Sequence, residues 1–329
     1  MTRTTEQIQA MANSEDFEVL HRRAELYRLV RDFLAERNVV EVHTPILSAA
    51  GNTEPNIESF VTDFHGPGRA GPGRRYLRTS PEYPLKRLLA AGFGDCYELG
   101  RVFRDGEAGR RHNPEFDMLE WYRVGFDHRR LMLESIELVR AAMALVDRPA
   151  KVRVVSYRDL YREALDLDPM QADAERLRAP LADYGIDPAG LERDDWLDLL
   201  MTHCLQPAMP ASCITAVYDY PASQCMLARL RPGPVPVAER FELFLGSREL
   251  ANGYHELADA DEQRARFEQE NARREARGQP RMPIDDKLLA VLDELPDCAG
   301  VALGVERLLM AMTDADDIAE VMAFPFLHA

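Results

Sequence analysis

Residues 98–122 read ELGRVFRDGEAGRRHNPEFDMLEWY, which is two strand-like segments joined by a polar loop. Alternate side chains of a strand share a face. In the first segment, this rule places on one face Glu98, Gly100, Val102 and Arg104. In the second segment, it places on one face Phe116, Met118, Glu120 and Tyr122. The carboxylate and phenol of the second segment suit a substrate ammonium group. A salt bridge at the sheet rim beside a half-buried tyrosine would give the same pattern.

The loop between these segments concentrates cationic and polar side chains, namely Arg104, Arg110, Arg111, His112 and Asn113. Planar guanidinium groups match phosphate oxygens in a bidentate manner, so the loop is a candidate triphosphate clamp. A solvated charged loop is the alternative.

The segments around this hairpin predict flanking helices and further hairpin-linked strands. Ser14 can cap a helix that runs to about Asn38, and a β-branched segment broken by Pro45 follows. The Gly/Pro/Arg stretch 66–74 looks like a hairpin tip, 128–215 is predicted to be helical, and 259–278 reads as a solvated surface helix. Strands that come in hairpin pairs favour an antiparallel sheet with helices, an α+β class. No G-x-G-x-x-G opens a helix after an early strand.

The segment GVALGVERLLM begins at Gly300 and combines small residues with one arginine. Gly300, Ala302 and Gly304 line one strand face and make a flat shelf that a ring or backbone can approach closely. Arg307 then lies at the start of a helix, where the helix dipole does not favour a cation. Tight helix–strand packing would explain the glycines but not the arginine, so we expect an anionic ligand here.

The segment RELANGYHEL places Glu249 and Glu256 on either side of Asn252. Carboxylate and amide oxygens are ligands for hard cations, so the segment is a candidate Mg²⁺ or ammonium site. Carboxylate pairs are also common on surfaces, and this pattern alone is weak.

Composition excludes several classes of protein. The 329 residues are 46% hydrophobic and 29% charged, as in soluble globular proteins. No apolar run approaches the roughly 18 residues of a membrane span, and no signal peptide is apparent, so we expect a cytoplasmic protein without a membrane partner. The net charge of −16 argues mildly against an extensive nucleic-acid surface. Five cysteines without a C-x-x-C pair predict reduced thiols.

Taken together, these segments resemble the lysyl branch of the class II aminoacyl-tRNA synthetases. Residues 98–122 are similar to motif 2, GVALGVERL to motif 3 and FLAERNVVEVHTPIL, with Pro45, to motif 1. TSPEYPLKRLL and RELANGYHEL resemble lysyl-specific segments. The resemblance implies the class II catalytic fold, a mainly antiparallel sheet flanked by helices. We expect one catalytic domain over residues 1–329, with an N-terminal helix at about 14–38 and a helical insertion at about 128–210.

The resemblance also implies roles for individual residues. Arg104 would hold the α-phosphate of ATP and Arg307 the γ-phosphate, with Glu249 as the third catalytic residue and, together with Glu256, a ligand of Mg²⁺. The other ATP contacts would be Asp105, Gly106, Asn113, Leu250 and Gly304. The amino-acid pocket would be formed by Ser80, Pro81, Glu82, Glu120, Tyr122, Glu256 and Ala302. Motif 1 would build a homodimer interface.

Three departures from lysyl-tRNA synthetases narrow the resemblance. The residues before motif 1 leave no room for the anticodon-binding barrel, so no anticodon binding is expected. Ala302 stands where motif 3 usually has glycine, and Arg104-Asp105-Gly106-Glu107 replaces the usual Arg-x-Glu. Either Glu107 supplies the missing carboxylate or the adenine is held by backbone.

A short lysyl-type core with this alanine is similar to the elongation factor P–(R)-β-lysine ligases. That family implies activation of (R)-β-lysine with ATP and its transfer to a lysine of elongation factor P. An α-lysine-activating paralogue and a catalytically inactive regulator are the alternatives.

Overall fold

The computed structural model describes residues 14–66 and 73–329. The helices are α1 (Ser14–Ala35), α2 (Glu82–Ala90), α3 (His128–Ala144), α4 (Tyr157–Leu165), α5 (Ala174–Arg178), α6 (Arg193–Leu200), α7 (Gln206–Ala208), α8 (Ala260–Ala276), α9 (Asp286–Leu289) and α10 (Val305–Thr313). The strands are β1 (Val40–Glu41), β2 (Leu47–Ser48), β3 (Val61–Phe64), β4 (Gly73–Leu77), β5 (Cys96–Phe103), β6 (Glu115–Val124), β7 (Lys151–Ser156), β8 (Cys213–Pro221), β9 (Leu230–Arg231), β10 (Val237–Leu245), β11 (Arg248–His255) and β12 (Cys298–Gly304).

The strands form one large and one small sheet. The large sheet has the order β1-β5-β6-β12-β11-β10-β8-β7, and β9 pairs with β10. Only its outer pairs, β1 with β5 and β7 with β8, are parallel. The small sheet has the antiparallel order β2-β4-β3. The predicted α+β class with a mainly antiparallel sheet is therefore confirmed.

Helices α1, α3 and α10 cover one face of the large sheet. Leu26, Val30 and Leu34 of α1 recur at helical spacing and are buried in the main core. Asn38 has a positive φ of 58°, which turns the chain away from the helix toward β1. The side chain of Ser14, the predicted cap, and most of the predicted hairpin tip at 66–74 lie outside the described residues.

The middle of the chain differs from the prediction of an all-helical segment. Strand β7 lies within residues 128–210 and pairs in parallel with β8 at the edge of the large sheet. Its sequence KVRVVS is rich in β-branched residues, which suit a pleated edge strand. Helix α3 belongs to the main core, whereas α4 and α6 pack with β8 in a second core around Trp196 and Tyr161.

Helix α8 is not the fully solvated helix that its charge pattern predicts. Gln263, Phe267, Asn271 and Arg274 are buried on one face at intervals of three or four residues. The guanidinium of Arg274 is fully buried and pairs with Glu58 at 2.7 Å. The prediction was wrong because polar residues with buried partners give no apolar stripe in the sequence. None of the helices within residues 14–66 and 73–329 combines the length and the hydrophobicity of a membrane span.

Candidate active site

A cavity of about 660 Å³ opens on the face of the large sheet opposite α3, and Glu306 and Arg307 at the start of α10 reach its edge. Its floor is formed by the central strands β6, β12, β11 and β10, which are neighbours in the sheet. Glu120 of β6 lies between Glu98 of β5 and Ala302 of β12, and Tyr122 lies beside Gly300. The two predicted strand faces therefore meet in register, because antiparallel partners on one face stand side by side.

The first end of the cavity is cationic. Arg104 follows β5, and its guanidinium lies over the ring of Phe116 and 3.6 Å from the carboxylate of Glu107. Burial lowers the pKa of Arg104, and the positive charge of Arg307 lowers it further, while Glu107 opposes the shift. The charge of Arg307 disfavours the charged form of Arg104, so the two guanidinium groups suit a polyanion that would lie between them.

Arg307 is held in place from two sides. It is the third residue of α10, and its guanidinium donates hydrogen bonds to the backbone oxygen of Glu249 at 3.2 Å and to Nε2 of His112 at 2.8 Å. Its distance to the Glu249 carboxylate is 3.5 Å. Burial and the charge of Arg307 lower the pKa of His112, so this imidazole remains a neutral acceptor. Arg111, Asn113 and Gly304 also line this end.

The second end is anionic and buried. Tyr122 and Ser80 both donate hydrogen bonds to the carboxylate of Glu120, each at 2.8 Å. The ammonium of Lys86 lies 2.6 Å from Glu82 and 2.6 Å from Glu256. Two of the three carboxylates at this end share the one lysine and the third has only hydroxyl donors, which leaves two negative charges when all four groups are ionised.

This surplus of negative charge is reflected in the carboxyl pKa values. Burial raises the pKa of Glu120 to about 8, and the charge of Glu82 adds to the shift. Burial also raises the pKa of Glu256 to about 7, although Lys86 opposes the change. Both groups are therefore poised to ionise when a cation occupies the cavity, because an ammonium group stabilises the charged form.

Gly300 allows the floor to lie close to these acids. A Cβ added to it would lie 2.3 Å from Cε1 of Tyr122 and 2.6 Å from Oε1 of Glu256. Ala302, two residues on, adds a methyl group to the floor directly between Glu120 and Asn252. The predicted shelf of small residues is thus part of the cavity.

The cavity brings most of the predicted site residues together. Ser80, Glu82, Arg104, Asn113, Glu120, Tyr122, Glu249, Leu250, Glu256, Ala302, Gly304 and Arg307 all line it. Pro81, Asp105 and Gly106 do not. Pro81 caps α2, and the backbone N–H of Asp105 donates to Glu58. Glu107 lines the cavity in their place.

The structure contradicts one predicted pairing, the shared Mg²⁺ site of Glu249 and Glu256. Glu249 is the second residue of β11 and Glu256 directly follows its last residue, so a strand rise of about 3.3 Å per residue separates them by roughly 20 Å. Glu249 contacts Arg307, whereas Glu256 contacts Lys86. One ion with ligand distances of about 2 Å cannot bridge them. The carboxylate close to Glu249 is instead Glu242 of β10, whose pKa is raised to about 7 by burial first, with Glu249 contributing.

Several residues in or directly beside the cavity were missed by the sequence analysis. Lys86 is 2% exposed and bridges two carboxylates, yet in the sequence it is one lysine on a short helix. Glu242 pairs with Arg240 and accepts a hydrogen bond from Tyr220. The alternation of Arg240 and Glu242 with the apolar residues of β10 was the available signal.

Comparison with known proteins identifies the family. Residues 1–328 match the class II tRNA synthetases (D, K and N). The chain belongs to this family. Within it, the chain is similar to proteins named elongation factor P–(R)-β-lysine ligase. The relative from Vibrio cholerae is 44% identical over 94% of this chain and 96% of its own length. Those from Klebsiella pneumoniae and Yersinia enterocolitica are each 46% identical over 93% of this chain and 94% of their own.

Membership of the synthetase family agrees with the geometry of the cavity. The cationic end is built from the motif 2 and motif 3 arginines, and the anionic end from motif 2 and the lysyl-type segments.

Among the described residues, all five cysteines are free, and Cys96, Cys213 and Cys298 are buried.

Proposed function

We propose that this protein is an ATP-dependent ligase that activates (R)-β-lysine as its adenylate and transfers it to a lysine side chain of elongation factor P. The names of the relatives support the substrates. The observation that carries the proposal is a single cavity with arginines at one end and an excess of two carboxylates at the other. ATP suits the first end, and an amino acid with two ammonium groups suits the second.

Activation needs little chemistry from the protein beyond positioning. The substrate carboxylate attacks the α-phosphorus of ATP, and pyrophosphate leaves. Arg104 is placed to offset charge on the α-phosphate and Arg307 charge on the terminal phosphates. Such fixed cations stabilise the charge that develops in the transition state, and the two ends of the cavity hold the reactants in line.

Recognition of the amino acid relies on the buried carboxylates. Glu120, with Tyr122 and Ser80, would accept one ammonium group, and Glu82 and Glu256 lie near enough for the second. The methyl group of Ala302 takes space on the floor beside Glu120. We infer that it favours an amine displaced by one carbon, as in β-lysine, over the α-amine of lysine.

The nucleotide end also fits a divalent cation. Glu249 and Glu242 are two neighbouring carboxylates on adjacent strands, and oxygen ligands of this kind hold Mg²⁺ together with phosphate oxygens. The raised pKa of Glu242 is consistent with a place where a cation would relieve repulsion between the two acids. Bound Mg²⁺ would neutralise phosphate charge.

A homodimer through motif 1 is supported by apolar surface. Five large hydrophobic side chains on β1, the small sheet and the segment between them are at least 40% exposed: Val40, Ile46, Leu47, Val61 and Phe64. Several exposed large apolar side chains on neighbouring segments are what an interaction site would use. Replacing Leu47 and Val61 by aspartate should give a monomer in sedimentation equilibrium, and an unchanged mass would contradict this interface.

Two assays on the purified protein test the main proposal. (R)-β-Lysine should support ATP–pyrophosphate exchange at least about 10-fold better than α-lysine, a difference within reach of one methyl group. Labelled β-lysine should then appear on elongation factor P. Label on tRNA with none on the protein acceptor would favour the α-lysine alternative, and no exchange with either amino acid would favour an inactive regulator.

A further inference from the structure

Glu270 of helix α8 lines the cavity, although neither the activation chemistry nor the predicted site uses it. Phe267, one turn earlier, is buried against the ring of Tyr83 on α2, with 5.7 Å between ring centroids. The buried ion pair of Arg274 with Glu58 anchors the following turn of α8. The position of Glu270 is therefore fixed by packing on both sides.

One oxygen of the Glu270 carboxylate accepts a side-chain hydrogen bond. The hydroxyl of Thr53 donates a hydrogen bond to Oε2 of Glu270. No lysine or arginine in the described parts of the chain forms an ion pair with it within 4.0 Å. Most of the other glutamates that line the cavity are paired with a cation: Glu82 and Glu256 share Lys86, Glu107 has Arg104, Glu249 has Arg307, Glu242 has Arg240, and Glu306 has Arg23. Glu120, like Glu270, has hydroxyl donors, in its case Ser80 and Tyr122, and Glu54 accepts from the backbone N–H of Asn56.

The charged and titratable groups around Glu270 come from four elements. Glu54 lies on the loop that carries Thr53, Glu82 and Tyr83 lie on α2, Arg273 lies on α8, and Asp285 caps α9. Burial raises the pKa of Glu270 to about 7, the Thr53 hydrogen bond and Arg273 oppose the shift, and Glu54 and Glu82 add to it. A carboxylate with such a pKa can both attract an ammonium group and take up its proton near neutral pH.

The second half of the proposed reaction requires such a group. A lysine amine has a pKa near 10.4, so the acceptor arrives as an ammonium ion. It must lose a proton before or as its nitrogen attacks the adenylate. Phe267 of α8 packs on Tyr83, the neighbour of Glu82 on α2, and Glu82, Tyr83, Phe267 and Glu270 all line the cavity, so Glu270 lies on the side of the amino-acid end.

We propose that Glu270 receives the proton of the acceptor lysine when the adenylate is converted to the amide. The inference rests on the proposed function. The amine nitrogen bonds to the carbonyl carbon of the adenylate, the bond from that carbon to the phosphate oxygen breaks, and AMP leaves with the electron pair. One proton passes from the ammonium nitrogen to the carboxylate of Glu270, which frees the lone pair for attack, and the second proton goes to the phosphate of the departing AMP as the amide forms. Thr53 keeps the Glu270 carboxylate oriented.

The test separates the two half-reactions in the Glu270→Gln variant, whose amide oxygen can still accept the bond from Thr53. ATP–pyrophosphate exchange with (R)-β-lysine should remain within about twofold of the unmodified protein. Transfer from the preformed adenylate to elongation factor P, in a single turnover near neutral pH, should slow by about 100-fold, the low end for loss of a general base. Glu268→Gln, on the same helix but solvent-facing and paired with Arg281, should leave both steps unchanged.

Two further readouts distinguish a proton acceptor from a structural residue. Hydroxylamine is a neutral nucleophile near neutral pH, so it should trap the adenylate equally fast in both proteins. The transfer rate of the unmodified protein should rise with pH and level above about 7, whereas that of the variant should keep rising toward the pKa of the amine, about 10.4.

Equal transfer rates and equal pH profiles in the two proteins would overturn the inference. It would also fail if exchange or hydroxylamine trapping fell as much as transfer, since Glu270 would then support the site as a whole. Failure of the proposed function would look different, because the unmodified protein itself would not label elongation factor P.

Discussion

The two ends of the active-site cavity carry charges of opposite sign, and these charges depend on pH to different extents. At the nucleotide end, Arg104 and Arg307 are guanidinium groups that stay charged at any ordinary pH. At the amino-acid end, Glu120 and Glu256 are buried carboxyl groups with pKa values of about 8 and about 7. The first end is permanently cationic, whereas the second becomes fully anionic only when deprotonated or when it holds a cation.

Because of this difference, the two ends should contribute differently to catalysis and to substrate binding. The fixed cations are prepared for phosphate before it arrives, which favours charge stabilisation during reaction. The carboxyl groups respond to the ligand, and their burial makes an unpaired charge costly. Changes at the nucleotide end should therefore abolish the chemistry, while changes at the amino-acid end should alter affinity, selectivity and pH dependence.

The largest effect is expected from Arg104→Ala. Loss of one fixed cation should lower the rate of ATP–pyrophosphate exchange by about 10³-fold, as for other charge-stabilising donors. Arg101→Ala is the matched control, since Arg101 lies on β5, three residues before Arg104, with a side chain that is 44% exposed. If both variants lost similar activity, the loss would reflect damage to β5 and not the clamp.

Glu120→Gln should act on the other substrate. The amide keeps bonds to Ser80 and Tyr122 but removes the charge that faces the ammonium group. We expect kcat/KM for (R)-β-lysine to fall by about 100-fold, within the range for a lost buried charge pair, with KM for ATP changed little. Glu115→Gln on the same strand, at a 52% exposed side chain, is the control. A matching rise in KM for ATP would show that the two ends are not independent.

Ala302→Gly should change selectivity more than rate. Removing the methyl group from the floor should narrow the preference for β-lysine over α-lysine by about 10-fold, the effect of one methyl group in a pocket. The measurement is exchange with each amino acid. Ala299→Gly weakens the same strand on its core side and should lower both rates without changing their ratio. An unaltered ratio in Ala302→Gly would assign selectivity to other residues.

The smallest effect concerns pH and stability. Glu120 and Glu256 have folded-state pKa values above the ordinary carboxyl value of 4.5. Their contribution to stability is therefore complete below about pH 4.5 and is lost as the pH rises to about 8, because the unfolded chain ionises first. Bound β-lysine favours the ionised forms, so it should raise Tm by a few degrees more at pH 8 than at pH 6. Glu120→Gln should weaken this pH dependence, and an increase in Tm that is equal at both pH values would contradict the assignment.

The sequence alone was enough to predict the hairpin of β5 and β6 and the shelf on β12. Side-chain alternation places Glu120 with Tyr122, and Gly300 with Ala302, whatever surrounds the strands. Local spacing likewise placed Arg307 at the start of α10. The resemblance to class II synthetases then supplied the roles of these residues, which spacing by itself left open.

Only the tertiary structure decided which charges meet. Sheet order brings Glu242 beside Glu249, and α2 carries Lys86 to Glu256, although the sequence suggested that Glu249 and Glu256 act together. The packing of α8 turns Glu270 toward the cavity, although its charge pattern predicted a solvated helix. Periodicity along one element fixes which side chains share a face, but the partners across elements depend on how the sheet is ordered and what covers it. The sequence therefore determined the pieces of the active site, and the fold determined its charge balance.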